Sequence, residues 1–138
     1  MADTLKLEIV TPETTIYSED VEMVTLPGSE GEAGIYPNHV PLMTRVQAGE
    51  IIVNRGGTEE VVAIGEGFAE ITGDHIAILT DNAANSADID EAAAEEAKAK
   101  AEQRLEEGGD VSEEDAKALT QAILYSQAQI KAKRRKRG

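Results

Sequence analysis

Residues 50–64 read EIIVNRGGTEEVVAI, two runs rich in β-branched residues on either side of Arg55-Gly56-Gly57-Thr58. Paired glycines supply the positive φ that a tight turn needs, so this stretch predicts a β-hairpin. Similar short runs lie at residues 5–9, 21–26, 68–71 and 75–79. Many short strands at this spacing predict a flattened β-sandwich, which we place at residues 1–85.

After the sandwich the composition changes to Ala, Glu and Lys, without Gly or Pro until Gly108. These residues are strong helix formers, and we expect a first helix that Asp88 caps and the glycines at 108–109 end. Ser112 repeats the capping arrangement before a second helix. Two helices joined by a short glycine-containing loop predict an antiparallel hairpin, at residues 86–138.

The predicted contact between the two helices is poor in large side chains. Its residues, at spacings of three and four, are Ile89, Ala93, Ala97, Ala101 and Leu105 in the first helix and Ala116, Leu119, Ile123, Ser126 and Ile130 in the second. Alanine buries little apolar area, so such a hairpin gains little free energy from docking. Two interpretations stay open: a hairpin that is docked in one condition and extended in another, or one that is docked permanently.

Composition excludes several classes of function. The 138 residues carry a formal net charge of −14, 3% aromatic residues and no cysteine. Thiolate chemistry and zinc ribbons need cysteine, and single-stranded nucleic-acid binders need aromatic stacking platforms. The negative charge disfavours nucleic acid as a partner. No apolar run approaches the length of a membrane-spanning helix, and we expect a soluble chain that is not secreted.

The sequence offers little material for catalysis. Gly65-Glu66-Gly67 lies between predicted strands and lacks the lysine of a phosphate-binding loop. His75 is interpreted as a surface residue in a turn, and His39 as a structural or contact residue in a rigid segment that prolines bound. We find no arrangement of serine, histidine and acid, and therefore predict that the chain is not an enzyme.

A glycine-rich stretch at residues 28–34 carries Glu30 and Glu32. Its spacing does not match a calcium-binding loop, so we predict a solvated turn and no metal site.

The end of the chain reverses the sign of the charge. The last eight residues hold six basic side chains and no acid, among them Lys133, Arg134, Arg135, Lys136 and Arg137. Such a tail is typical either of a nucleic-acid patch or of a helix C-terminus whose cations engage an acidic protein surface. The acidic body favours the second interpretation, because it repels phosphate.

Residues 28–42, GSEGEAGIYPNHVPL, resemble the epsilon subunit of bacterial and plastid F-type ATP synthases in its glycine-glutamate-x-glycine-isoleucine and histidine-x-proline-leucine segments. Residues 67–71 and 78–83 are similar to two further signatures of that family, and residues 88–92 to the opening of its helical domain. The resemblance covers nearly the whole chain, strongly to about residue 105.

The resemblance implies a non-catalytic rotor subunit of a proton-translocating synthase. Its sandwich grips the gamma subunit and rests on the c ring, and its hairpin can extend toward the alpha and beta subunits and block ATP hydrolysis. The implied partner-binding residues are Ser29, Glu30, Glu32, His39 and Pro41, with Glu32 facing the c ring and His39 at the gamma contact. The implied location is peripheral, at the cytoplasmic face of the bacterial plasma membrane, with the plastid thylakoid as the less favoured option.

Some members of the family bind regulatory ATP through a motif that begins with isoleucine or leucine and aspartate and includes an arginine. Here Ile89 and Asp90 match the motif, whereas Ala93 stands where the arginine belongs. Without that guanidinium, we expect no ATP and no other cofactor. The alternative function is a free-standing acidic β-sandwich adaptor with a helical interaction tail.

Overall fold

The computed structural model describes residues 4–28, 31–37 and 39–137, with the side chains of this range except those of residues 28, 31–33, 39, 40, 136 and 137. The strands are β1 (Leu5–Val10), β2 (Thr15–Val21), β3 (Met23–Gly28), β4 (Gly31–Ile35), β5 (His39–Val46), β6 (Gly49–Arg55), β7 (Thr58–Ile64), β8 (Gly67–Gly73), β9 (His75–Thr80) and β10 (Ala83–Asn85). A 3-10 turn (Ser86–Asp88) and helices α1 (Glu91–Glu107) and α2 (Glu113–Arg137) follow.

The strands form two five-stranded sheets. The first sheet has the order β2-β1-β9-β8-β5 and the second has the order β10-β7-β6-β3-β4. The pairings between neighbouring strands are antiparallel except for β1 with β9, which is parallel. The predicted flattened β-sandwich followed by a two-helix hairpin is confirmed.

Alternation along the strands creates the core between the sheets. In β1, Leu5, Leu7 and Ile9 are buried, whereas Lys6 and Glu8 between them are only partly covered. Side chains in a strand point alternately to opposite faces, so each strand contributes every second residue to the core. The other fully buried leucine, isoleucine and valine side chains of this core are Val21, Val24, Ile51, Val53, Val62, Ile64, Ile71, Ile76 and Ile78.

The second sheet is buried on both faces in its centre. Val61 and Ala63 of β7 point away from the main core, yet they are buried because they pack against Ile89, Ala128 and Ala132. Helix α2 therefore covers the outer face of β6 and β7. A strand that is covered on both faces has a continuous apolar run instead of an alternating one.

The glycine turns behave as the sequence predicts. Gly56 and Gly57 have φ values of 57° and 77°, so the β6–β7 hairpin uses the left-handed conformations that favour glycine. Gly67 serves a different purpose, because a Cβ added there would overlap the carbonyl oxygen of Leu79. This glycine permits close approach of β8 and β9, and it is the first residue of β8.

Two local predictions about strand bounds were wrong. The predicted strand at residues 21–26 is the junction of β2 and β3, and the predicted turn at 28–34 contains β4, which pairs with β3. The segment expected to be rigid between two prolines enters β5. Pro27 is tolerated inside β3 because the pairing of β3 with β6 ends at Thr25, where no further backbone donor is needed.

The helix ends need one correction. The residue that caps α1 is Asp90, whose Oδ1 accepts a hydrogen bond from the Ala93 N–H at 3.1 Å, while Asp88 lies in the preceding 3-10 turn. Gly108, at φ 62°, ends α1 as predicted. The Ser112 cap of α2 is also confirmed, with Oγ accepting from the Asp115 N–H at 3.1 Å.

The predicted helix contact is confirmed in part, since Ala101, Ser126 and Ile130 are buried as expected, and two of its alanines are not. Ala93 and Ala97 are exposed, whereas the predicted Ala101 is buried, and Ala94 is buried although it was not predicted. Ala92, Ala93 and Ala94 lie on different sides of the helix and are chemically identical, so the sequence does not indicate which of them is buried. In α2 the buried residues are Ser126, Ala128, Ile130 and Ala132, because this helix packs against both α1 and the second sheet.

Candidate interaction surfaces

The outer face of the first sheet carries large apolar side chains that remain exposed. Phe68, Leu79 and Met43 are 49%, 50% and 61% exposed, and Val10 is half-buried beside them. We call these four residues the apolar strip. Val10, Leu79 and Phe68 lie opposite one another in register across β1, β9 and β8, and Met43 projects from the same face of β5. Contiguous exposed apolar residues of this kind mark interaction sites.

Three residues of the apolar strip, Val10, Phe68 and Leu79, line a shallow cleft of about 390 Å³, together with Thr11, Pro12, Glu66 and Asp81. Arg45 lies next to Phe68 in the register, and its guanidinium carbon is 5.8 Å from the centre of the Phe68 ring. This distance allows a cation–π contact on the sheet surface. The strip is therefore an ordered apolar platform with charged residues at its rim.

The predicted partner-binding residues divide between the two sheets. Ser29 and Glu30 lie outside the described residues, and the side chains of Glu32 and His39 also lie outside the description. The backbone of Glu32 belongs to β4, the edge strand of the second sheet, and that of His39 to β5, the edge strand of the first. The expectation that these residues lie in loops was wrong, because both are in paired strands.

Pro41 is exposed and lies on β5, two residues before Met43. The structure therefore places two predicted residues, His39 and Pro41, on the strand that carries Met43 of the apolar strip. The strip itself was missed by the sequence analysis, although a signal was present. Phe68 and Ile71 are three positions apart in one strand, so they point to opposite faces and cannot both enter the core.

The second candidate surface is the end of α2, which contacts acidic residues of its own chain. Arg135 donates from Nε to Glu50 Oε2 at 2.9 Å and from Nη2 to Oε1 at 3.4 Å. The Nζ atom of Lys131 is 3.6 Å from the same carboxylate. The side chain of Glu50 is only 5% exposed, so these cations compensate a nearly buried charge.

Two further cations tie α2 to the start of the helical region. Arg134 bridges Glu91 and Glu95, one turn apart on α1, at distances of 3.1 and 3.0 Å. Lys133 donates from Nζ to the Ser86 carbonyl oxygen at 3.2 Å. The predicted basic tail is thus the last part of a docked helix, although the side chains of its final two cations, at 136 and 137, lie outside the description.

A polar cluster joins the two sheets near β2. Tyr17 donates its hydroxyl to Glu60 at 2.8 Å, and Arg55 contacts both Glu60 and Glu19, at 3.2 and 2.8 Å. Burial, reinforced by the hydrogen bond to Glu60, raises the pKa of Tyr17 far above its ordinary value. The phenol therefore stays protonated and acts as a donor. We assign this cluster to stability, because each of its charges has a partner within the sandwich.

The other candidate residues, His75, Ile89 and Asp90, make contacts that stabilise the fold. His75 is the first residue of β9, not a turn residue, and its Nε2 lies 2.6 Å from Glu8 Oε1. Ile89 is buried under α2, and Asp90 caps α1, so both residues of the matching nucleotide motif already serve the fold.

Within the described ranges, no group of three or more acidic or histidine side chains is placed to hold a metal ion. The helices described here also lack an apolar stretch long enough to cross a bilayer.

The fold defines a class of protein, the small β-sandwich that carries a two-helix appendage and an uncovered apolar sheet face. Residues 4–86 match the family described as ATP synthase, Delta/Epsilon chain, beta-sandwich domain. The chain belongs to the ATP synthase epsilon chain family.

Relatives support this assignment over most of the chain. The ATP synthase epsilon chain of Desulforamulus reducens is 43% identical over 79% of this chain and 83% of its own length. That of Laribacter hongkongensis is 40% identical over 94% of this chain and 92% of its own. The match therefore includes the helical region in at least one relative.

Solved structures share the fold at lower identity. A chain of the Euglena gracilis mitochondrial ATP synthase, in a structure of OSCP, F1 and the c-ring, superposes with a TM-score of 0.72 at 22% identity, covering 94% of this chain and 80% of that one. A chain from the central stalk and c-ring of the Tetrahymena thermophila mitochondrial ATP synthase gives a TM-score of 0.58 at 10% identity, covering 95% and 97%.

Proposed function

We propose that this chain is a central-stalk subunit of a proton-translocating F-type ATP synthase, where it couples the c ring to the catalytic head. Membership in the epsilon chain family supports the role. The observation that carries the proposal is the apolar strip, an ordered apolar face on a sandwich whose own core is complete without it. Such a face is suited to a permanent contact with another subunit.

The apolar strip is the proposed contact with the gamma subunit. Its three most exposed side chains, Met43, Phe68 and Leu79, are already about half covered, so complete burial of each gains roughly 1–1.5 kcal/mol. The helices pack on the second sheet, so this contact leaves the hairpin free to move. A grip on gamma and a mobile hairpin thus occupy opposite faces of one sandwich.

The proposed contact with the c ring involves the edge strand β4, where the resemblance places Glu32. This edge belongs to the second sheet, whereas the apolar strip belongs to the first. One sandwich has two separate faces for two partners. In this assembly the chain is peripheral to the membrane, at the cytoplasmic face of the bacterial plasma membrane, and it contributes mechanical coupling and regulation instead of catalysis.

We infer a regulatory role for the hairpin, whose second helix extends toward the alpha and beta subunits and inhibits ATP hydrolysis. Support comes from the small side chains in the contact between the helices, which bury little area, and from cations concentrated at the end of α2. The basic tail is the proposed inhibitory element, because its charges complement an acidic surface. The acidic sandwich and the clustered carboxylates disfavour nucleic acid as an alternative partner.

The gamma contact is tested by replacing two residues of the apolar strip at once, Phe68→Ser with Leu79→Ser. Because both side chains are half exposed in the free chain, we expect a folded protein whose affinity for purified gamma falls at least about tenfold. Leu124→Ser is the matched control, since Leu124 is an exposed leucine on α2. Unchanged gamma binding by the double variant would remove the apolar strip from the interface.

Co-purification separates the stalk subunit from the free-standing adaptor. A stalk subunit copurifies with a membrane ATPase, and an adaptor of another assembly does not.

A further inference from the structure

Glu50 occupies an unexpected position for a carboxylate. It lies opposite Ala63 in the β6–β7 register, on the face of the second sheet that α2 covers. Its neighbours on this face, Ile52 and Val61, are apolar and buried. An apolar residue at position 50 would extend this apolar sheet face and would favour docking of α2 without any need for cations. A carboxylate makes docking depend on cations that α2 itself supplies.

The cations come from two successive turns of one helix face. Lys131 and Arg135 are four residues apart, the spacing that places side chains next to each other along a helix, and both contact Glu50. Between them, Arg134 faces α1 and contacts Glu91 and Glu95. We name Glu50, Glu91 and Glu95 the carboxylate clasp, because together they hold the end of α2 against both the sheet and α1.

We propose that the carboxylate clasp is an internal substitute for the acidic partner of α2, so that release of the hairpin is a competition between two sets of carboxylates for the same cations. The proposal rests on the regulatory function proposed above. When the hairpin is docked, the cations of α2 neutralise the carboxylate clasp. Extended, they are available to an acidic surface elsewhere in the assembly, and Glu50 returns to water.

The two sides of the clasp are not equivalent. Removal of Arg135 takes both hydrogen bonds from the nearly buried Glu50 carboxylate and leaves it with the longer ion pair to Lys131 at 3.6 Å, and this disfavours docking. Removal of the Glu50 charge leaves Lys131 and Arg135, whose side chains are 73% and 37% exposed and can turn toward water. Both changes release the hairpin, but only the second leaves the cations intact for an external partner.

The first experiment measures docking in the isolated full-length chain. The sequence has no cysteine, so Thr58→Cys on β7 and Gln127→Cys on α2, both exposed, accept a donor and acceptor dye for energy transfer. In this background we expect Arg135→Gln to raise the ratio of undocked to docked chains about tenfold and Glu50→Gln about threefold. The matched control is Lys100→Gln, which breaks an exposed ion pair with Glu96 inside α1 and should change the ratio less than about twofold.

The second experiment measures ATP hydrolysis by the assembled synthase, without the dyes. Glu50→Gln should deepen inhibition, because the hairpin is released with its cations intact, and Arg135→Gln should relieve inhibition, because a cation is lost. If Arg135→Gln and Glu50→Gln change docking no more than Lys100→Gln does, the clasp is overturned. If docking changes as expected while both variants hydrolyse ATP at the wild-type rate, the clasp stands and the proposed regulatory function fails.

Discussion

The sandwich and the hairpin bury different kinds of side chain. Between the sheets, the largest buried residues are leucine, isoleucine and valine, many of them with no exposed area. In α1 the buried residues are the alanines Ala94 and Ala101, and the end of α2 is held through charges. The sandwich is thus stabilised by apolar area, which charge screening does not weaken, whereas docking of the hairpin depends on ion pairs that salt and competing charges can weaken.

The largest expected effect comes from shortening one isoleucine to alanine in each region and comparing the losses in the free energy of unfolding. Ile78→Ala, in the centre of the first sheet, should lower the free energy of unfolding by about 3 kcal/mol, because it empties a fully buried site. Ile123→Ala in α2 removes a half-buried side chain and should cost less than about 1.5 kcal/mol. Chemical denaturation of both variants gives the two values, and equal losses would show that the hairpin is as firmly packed as the sandwich.

A smaller effect is expected when the hairpin is removed. A fragment of residues 1–85 should unfold cooperatively on heating, because its core lies between the two sheets. It should be less stable than the full chain by about 2 kcal/mol, since Val61 and Ala63 lose the cover of α2. Circular dichroism follows the transition. A fragment with no cooperative transition would contradict the contrast drawn above, since the sandwich would then need the hairpin in order to fold.

The smallest effect is expected from ATP. Ala93 provides no guanidinium, and Arg134, which lies against α1, already contacts Glu91 and Glu95. Calorimetric titration of the isolated chain should therefore show no binding in the low micromolar range. Ala93→Arg is the informative companion variant, because it restores the missing residue without disturbing a buried contact. A low micromolar Kd for the unmodified chain would mean that the hairpin contains a nucleotide site after all.

Sequence patterns predict the parts of the fold that short-range signals determine. The β6–β7 hairpin has its glycines, its alternation and both strands within a few residues of one another, and α2 has a serine cap at Ser112. Strand β4 has no such signal. Its sequence, GEAGI, is mostly small residues, and it is a strand because β3 supplies a partner.

The candidate surfaces were harder to predict for a related reason. Arg135 and Glu50 are 85 positions apart, and no local pattern connects them. The basic tail was visible in the sequence, but its internal partners were not, because a charge count does not indicate which acid a helix will cover. The apolar strip could be predicted in part, because alternation shows that Phe68 and Ile71 point to opposite faces of the sheet. Which of the two faces stays exposed depends on where the helices pack.

The parallel pairing of β1 with β9 has a consequence for synthesis of the chain. Val10, at the end of β1, pairs with Leu79, so the centre of the first sheet can form only after almost all of the sandwich has been translated. Translation adds roughly 5–20 residues per second, so roughly 3–15 s pass between synthesis of β1 and synthesis of β9. During that interval one edge of the β1–β2 ribbon has free backbone donors and acceptors, so the nascent chain is most exposed to wrong pairing just before β9 leaves the ribosome.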